Sequence, residues 1–161
     1  MEQIKLTYTL SVLSWTELTE KAKKTIEAAK EASYKAYAPY SNFLVGAAVL
    51  LEDGTIVTGN NQENAAFPSG ICAERTAVFA ANSLYPELSI DMLAIAAQNK
   101  GEFLKQPVAP CGVCRQVLLE SEKRFEKEIE IYLYGTEKIY YIKGIETLLP
   151  LNFCSDTLSI G

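Results

Sequence analysis

Apolar positions along the chain change period several times, and each change marks an element. Ile4, Leu6, Tyr8, Leu10 and Val12 alternate with polar or smaller residues, a period of two that predicts a half-buried strand near the N-terminus. Ser14-Trp15-Thr16-Glu17 then has the form of a capping box, and Leu18, Ala22, Ile26, Ala29 and Ser33 follow at helical spacing, which predicts a helix over about 15–36. Its charges Glu17/Lys21, Glu20/Lys24 and Glu31/Lys35 lie four apart in the favourable order and mark a solvated face. Next, FLVGAAVLL (43–51) and TIVTG (55–59) flank Asp53-Gly54, a hairpin signal. CAERTAVFAANSLY (72–85) reads as a helix, DMLAIAAQ (91–98) as a buried strand, and CGVCRQVLLESEKR (111–124), just after Pro110, as another helix. EIEIYLYG (128–135) and KIYYIKG (138–144) read as two further strands, and IETLL (145–149) as a short last helix. A leading hairpin followed by strands alternating with helices predicts an α/β sandwich with a mixed sheet. No repeat, low-complexity tract or linker interrupts it, so residues 1–161 are expected to form one domain, with 1–13 as an N-terminal extension.

Charge and hydropathy narrow the class. Fifteen basic residues face twenty acidic ones, a net charge of -5, which leaves no basic field for a phosphate backbone and argues against nucleic acid as a partner. The longest mostly apolar run, residues 43–51, is far short of the ~20 residues of a membrane-spanning helix. The first residues lack the continuous apolar core of a signal peptide. A soluble, cytoplasmic protein is expected.

The chain contains no histidine, so acid–base or metal chemistry near neutral pH must fall to other side chains. Four cysteines are present: Cys72, Cys111, Cys114 and Cys154. In a chain without a secretory signal, metal binding and plain burial compete as readings, ahead of disulfides. Cys154 alone reads as a small buried hydrophobe. Cys111 and Cys114 sit one turn apart at a predicted helix start, where free amides and the helix dipole favour thiolates. Cys72 starts another predicted helix. Three thiolates around zinc would leave a fourth tetrahedral position open for water, which separates a catalytic site from a closed structural one. A CxxC alone is shared with redox proteins and structural zinc sites. Glu74, two residues after Cys72, lies in a stretch where Ala73, Ala77, Val78, Ala80 and Ala81 make the helix apolar on most sides, an unfavourable place for an ordinary surface carboxylate.

Cys72-Ala73-Glu74-Arg75 together with Pro110-Cys111-x-x-Cys114-Arg115-Gln116 resembles the short, free-nucleoside cytidine deaminases, of the three-cysteine zinc type. AYAPYSNF (36–43), VGAAVLLEDG (45–54), GNNQENAAFP (59–68) and LLPLNF (148–153) resemble further segments of that family in the same order. The resemblance covers roughly residues 18–158. It implies a three-layer α/β/α sandwich around a mixed five-stranded sheet, to which the N-terminal strand would be added. It also implies one zinc ion per subunit on Cys72, Cys111 and Cys114, with Glu74 carrying protons between water, the cytosine ring and the departing amine, and Arg75 hydrogen-bonding the sulfurs. By position Asn61 and Glu63 would meet the sugar hydroxyls, the Ala73 backbone the pyrimidine carbonyl, and Phe43 the base. Phe153 would enter a neighbouring subunit's site, which implies a homotetramer. Leu44, Asn60 and Gln62 depart from the residues common in the family, and residues 1–12 have no clear counterpart in its short members.

Two other readings compete with cytidine and deoxycytidine deamination. One is the same chemistry on another base or analogue, against which the paired Asn61 and Glu63 favour a sugar-bearing pyrimidine. The other is a zinc module without catalysis. A closed zinc site needs a fourth ligand, and only Cys154, on a tail folded back, is available to supply it.

Overall fold

In a computed structural model that describes residues 1–158, Thr19 and not Ser14 starts the first helix. The predicted box does form, with the Ser14 amide and hydroxyl donating to Glu17 Oε2 at 2.8 and 2.7 Å, but it closes only a 3₁₀ turn over Trp15–Glu17. Leu18 is extended, and Thr19 caps α1 (Glu20–Ser33) by accepting from the Ala22 amide at 3.1 Å. The helix expected over 15–36 is therefore corrected to a turn and a shorter helix. Leu18 packs in one cluster with Ala22, Ile26 and Ala29, so the apolar spacing runs unbroken through a change of backbone conformation.

Seven strands form a single sheet. They are β1 (Ser11–Leu13), β2 (Phe43–Leu51), β3 (Ile56–Asn60), β4 (Ile90–Asn99), β5 (Glu102–Phe103), β6 (Glu130–Tyr134) and β7 (Ile139–Lys143). Their order is β1-β7-β6-β4-β2-β3, with β5 paired to β4. Only β4 and β6 run parallel among the pairs, which makes the sheet mixed. The five expected strands are present, and β5 joins them as a two-residue addition.

Two faces of the sheet are covered, as a three-layer sandwich requires. Ala48, Leu50, Met92, Ala94 and Ala96 point toward α1. Their neighbours Ala47, Val49, Leu93 and Ile95 point the other way, into a core shared with Ala77, Val78 and Ala81 of α2 (Ala73–Leu84) and Leu118 and Leu119 of α3 (Gly112–Phe125). This alternation is the period of two expected of strands buried on both sides. Each fully buried leucine or isoleucine here contributes on the order of 1.5–3 kcal/mol.

The strand expected over residues 4–12 shrinks to β1. Its register sets Ser11 opposite Tyr141 and Leu13 opposite Ile139, so continued pairing would bring Tyr8 opposite Gly144. There φ is +77° and β7 has ended. Ile4, Leu6, Tyr8 and Leu10 remain exposed, and residues 1–10 belong to no regular element. The short helix expected at 145–149 is likewise reduced to a 3₁₀ turn, Ile145–Thr147. Its start is tied back to α3, because Glu122 Oε1 accepts from the amides of both Ile129 and Ile145, at 2.8 and 3.0 Å.

Strand direction positions the two helices that matter most. β3 and β4 both run antiparallel to β2 and hence parallel to each other. α2 follows the end of β3, and α3 follows the end of β4 by way of β5. Both helices therefore begin at the same edge of the sheet, the carboxyl ends of parallel strands where ligands of open α/β sheets bind.

Candidate metal centre and nucleoside pocket

Cys72 is the N-cap of α2 and Cys111 the N-cap of α3, both with extended backbones. Their sulfurs lie 3.8 Å apart, and Cys111 and Cys114 Sγ lie 3.4 Å apart. All three sulfurs fall within 4.8 Å of one another. Zinc–sulfur bonds of ~2.3 Å in tetrahedral geometry require sulfur–sulfur edges of about 3.8 Å, so the donor set fits that ion. Among the described residues no fourth ligand joins this cluster. Cys154 packs against the core on the α2 and α3 side of the sheet.

Electrostatics favour an ionised Cys72. The Cys72 thiol is held down at about 5, first by a hydrogen bond from Cys114 and then by Arg75 and Cys111, against the opposing effect of burial. The same hydrogen bond and burial push the Cys114 thiol up. The free amides at the two helix starts add positive potential. Among the described residues, Arg75 Nε is buried with no hydrogen-bond partner, a donor left over beside the sulfur cluster.

Glu74 occupies the first turn of α2 and is only 6% exposed. Burial pushes its carboxyl above the ordinary carboxylate range, and the Cys72 charge adds to that push, while helix-start backbone hydrogen bonding works the other way. α2 is seated closely enough to hold this geometry. Gly59 of β3 packs where an added Cβ would lie 2.6 Å from the Ala73 carbonyl oxygen.

Above the sulfurs opens a cavity of about 830 Å³. Phe43, Asn61, Glu63, Ala73, Glu74 and Cys111 all line it, which brings five residues predicted for substrate or proton transfer to one wall of the metal cluster. The Asn61 amide accepts from the Val45 amide at 2.8 Å and donates to the Phe43 carbonyl at 2.9 Å, so it extends the pairing of β2 while facing the cavity. Glu63 accepts from the Tyr40 amide at 2.8 Å and the Ser41 hydroxyl at 2.5 Å. The Ser41 bond is the largest cause holding its carboxyl below the ordinary range. Phe153 stands apart from this group. The residue is 58% exposed and its carbonyl accepts from Gln116 Nε2 at 2.8 Å.

Three supporting residues carried no role in the sequence reading. Ser41 anchors Glu63. Arg115 donates to the carbonyls of Pro110 and Leu148, at 2.8 and 2.7 Å, and so fixes both the loop that presents Cys111 and the turn after Ile145. Gly59 lets α2 approach β3. The only local signal for them was their place inside or beside the motif segments.

Residues 19–127 match the family described as the cytidine and deoxycytidylate deaminase zinc-binding region. A cytidine deaminase of Halalkalibacterium halodurans is 48% identical over 134 residues, covering 83% of this chain and 95% of its own length. One from Sporosarcina psychrophila is 42% identical over 136 residues, covering 84% and 93%. Among solved structures, the cytidine deaminase of Burkholderia pseudomallei superposes with a TM-score of 0.69 at 40% identity, covering 84% of this chain and 100% of that one. With a zinc-compatible thiolate cluster beneath a buried glutamate, and with relatives similar over most of their length, the chain belongs to the cytidine and deoxycytidylate deaminase family.

Proposed function

We propose that this protein hydrolytically deaminates cytidine and deoxycytidine to uridine and deoxyuridine, releasing ammonia, with zinc held by Cys72, Cys111 and Cys114. One observation carries the reading: a buried carboxyl, Glu74, beside a three-sulfur cluster on the wall of a cavity also lined by Phe43, Asn61 and Glu63. When bound, zinc supplies Lewis-acid chemistry that brings the pKa of a water from ~15.7 toward about 7.

The chain's own residues do the rest. Glu74 accepts a proton from the attacking water and delivers it to N3 of the ring, which makes C4 electrophilic. As the water oxygen bonds to C4 and the bond to the amino nitrogen breaks, the same carboxyl hands the second proton to the leaving group. A buried carboxyl whose charged form is disfavoured by its surroundings suits this double duty of accepting and donating a proton. Arg75 donates toward the sulfurs and withdraws charge from them. The Ala73 amide, at the first position of α2, where the helix itself supplies no acceptor, holds the pyrimidine carbonyl. Phe43 lies against the base, and Asn61 and Glu63 take the sugar hydroxyls.

The exposed Phe153 and its neighbour Leu151, 93% exposed, support a shared site in which Phe153 enters an adjacent subunit of a homotetramer. Sedimentation showing a fully active monomer would overturn that assembly. Among the described residues no helix is long and apolar enough to cross a membrane. We place the reaction in the cytoplasm, in pyrimidine salvage.

Ultraviolet-monitored turnover of cytidine, with ammonia measured beside it, tests the reaction. Glu74→Ala is expected to retain zinc and lose ~10²–10⁴-fold in kcat. Zinc loss from that variant would contradict the proton-carrying role, and an inert zinc-loaded wild type would refute the reaction.

A further inference from the structure

The Ser41 hydroxyl stands at a junction. It donates to Glu63 Oε1 at 2.5 Å and accepts from the Phe43 amide at 3.0 Å. Between the two, Asn42 adopts a left-handed φ of +54°, a conformation that asparagine tolerates better than most residues. That turn returns the Phe43 amide to the serine oxygen. Glu63 Oε2 is held separately, by the amides of Tyr40 and Ser41 at 2.8 and 3.3 Å. Ser41 and Glu63 both line the cavity.

We propose that Ser41 is a positioning residue for sugar recognition, orienting the Glu63 carboxylate so that one remaining acceptor position meets a ribose hydroxyl, and linking that carboxylate to the segment that seats Phe43. The proposal rests on the nucleoside reading above and deepens it. A carboxylate offers about four acceptor positions, and three donors already hold this one in place. What remains is an acceptor with a fixed direction, which suits the O–H of a sugar. Removal of the hydroxyl leaves Oε2 bound to two backbone amides while Oε1 loses its only protein donor among the described residues. The carboxylate stays in the pocket with its aim lost.

A purely structural role for Ser41 would act on Phe43 and so on every pyrimidine alike. A role through Glu63 would be felt only by substrates that carry sugar hydroxyls. The deciding experiment measures kcat and KM of the zinc-loaded wild type, Ser41→Ala, Ser41→Thr, Glu63→Ala and the Ser41→Ala/Glu63→Ala double variant. The substrates are cytidine and 2′,3′-dideoxycytidine, which lacks both ring hydroxyls. Loss of a hydrogen bond to a charged group predicts a roughly tenfold fall in kcat/KM for cytidine with Ser41→Ala, carried mainly by KM. The dideoxy substrate should change less than about twofold, Ser41→Thr should restore the wild-type value, and Ser41→Ala should add less than about twofold once Glu63 is gone. Equal losses on both substrates would overturn the proposal, as would full additivity with Glu63→Ala. A wild type inert toward cytidine would instead refute the nucleoside reading, and a wild type that treats both substrates alike would remove the sugar role of Glu63 itself. Ser41 is exposed, so its variants are expected to melt with the wild type.

Discussion

Replacing Gly59 with alanine should weaken the metal centre from behind, without touching a ligand. An added Cβ at Gly59 would lie 2.6 Å from the Ala73 carbonyl oxygen and 2.9 Å from the Thr76 carbonyl carbon, and would also overlap the Ala77 amide nitrogen. All three are backbone atoms of α2, so no side chain can swing aside. Relief to ordinary contact at ~3.5 Å moves the start of α2 away from β3 by nearly an ångström. Cys72 caps that helix, and its sulfur lies 3.8 Å from that of Cys111. A shift of this size takes the edge outside the ±0.2 Å tolerance of metal–ligand distances unless other elements follow. Overpacking against backbone costs about 3 kcal/mol, which lowers Tm by roughly 6–12 °C for a chain of this size. Zinc affinity should fall about 10–100-fold, as when an outer support of a ligand is lost. Calorimetry reads the first effect and competition with a chromophoric chelator the second. Gly112→Ala is the control, because it lies next to Cys111 yet its added Cβ meets nothing within 4 Å. A Gly59→Ala protein that melts within about 2 °C of wild type and binds zinc equally well would refute the claim that this close approach sets the sulfur geometry.

Glu122 gives a test by pH. Burial pushes its carboxyl above the ordinary range despite the Ile129 and Ile145 amides it accepts from, so the folded state binds a proton there more readily than the unfolded chain. The wild type should therefore lose stability as pH rises from the ordinary carboxylate value through the raised one, and Glu122→Gln, which keeps an acceptor for both amides, should flatten that slope in denaturant titrations; an unchanged slope would sink the assignment. Lys30 Nζ lies 5.1, 5.4 and 5.8 Å from the ring centroids of Tyr134, Phe103 and Trp15, and pins the 3₁₀ turn and β5 to α1. Lys30→Met should lower stability by about 1 kcal/mol, or about 2–4 °C in Tm, with cytidine turnover unchanged; an unchanged Tm would show that the rings hold together without the cation.

What could be read from the sequence was the chemistry that is local in the chain. Cys72, Glu74 and Arg75 lie within one turn, and Cys111 and Cys114 within another, so residue type and spacing suggested a metal site and the family resemblance supplied the roles of Glu74 and Arg75. The N-terminal strand failed for a non-local reason. Alternation of Ile4, Leu6, Tyr8 and Leu10 shows that a segment can be a strand, but a strand also needs a partner with free backbone, and β7 ends at Lys143. The first helix failed at its start because two capping residues, Ser14 and Thr19, stand five apart, and the apolar spacing of Leu18 and Ala22 fits the same core cluster in either conformation.

The residues that aim the chemistry share that non-local character. Ser41 reaches Glu63 across 22 positions, Arg115 reaches Leu148 across 33, and Gly59 meets α2 through bare backbone. Serine, arginine and glycine at such places carry no signature of their own, since each is common in loops and on surfaces for unrelated reasons. Their importance comes from direction. Under the proposed function, a carboxylate aimed at one sugar hydroxyl and three sulfurs sharing one ion tolerate displacements well under an ångström, and the contacts that enforce such tolerances come from wherever the fold supplies a rigid neighbour. It follows that substitutions at Ser41, Gly59 or Arg115 should alter KM, zinc affinity or the presentation of Cys111, while every residue of the Cys-Ala-Glu-Arg and Cys-x-x-Cys motifs stays in place.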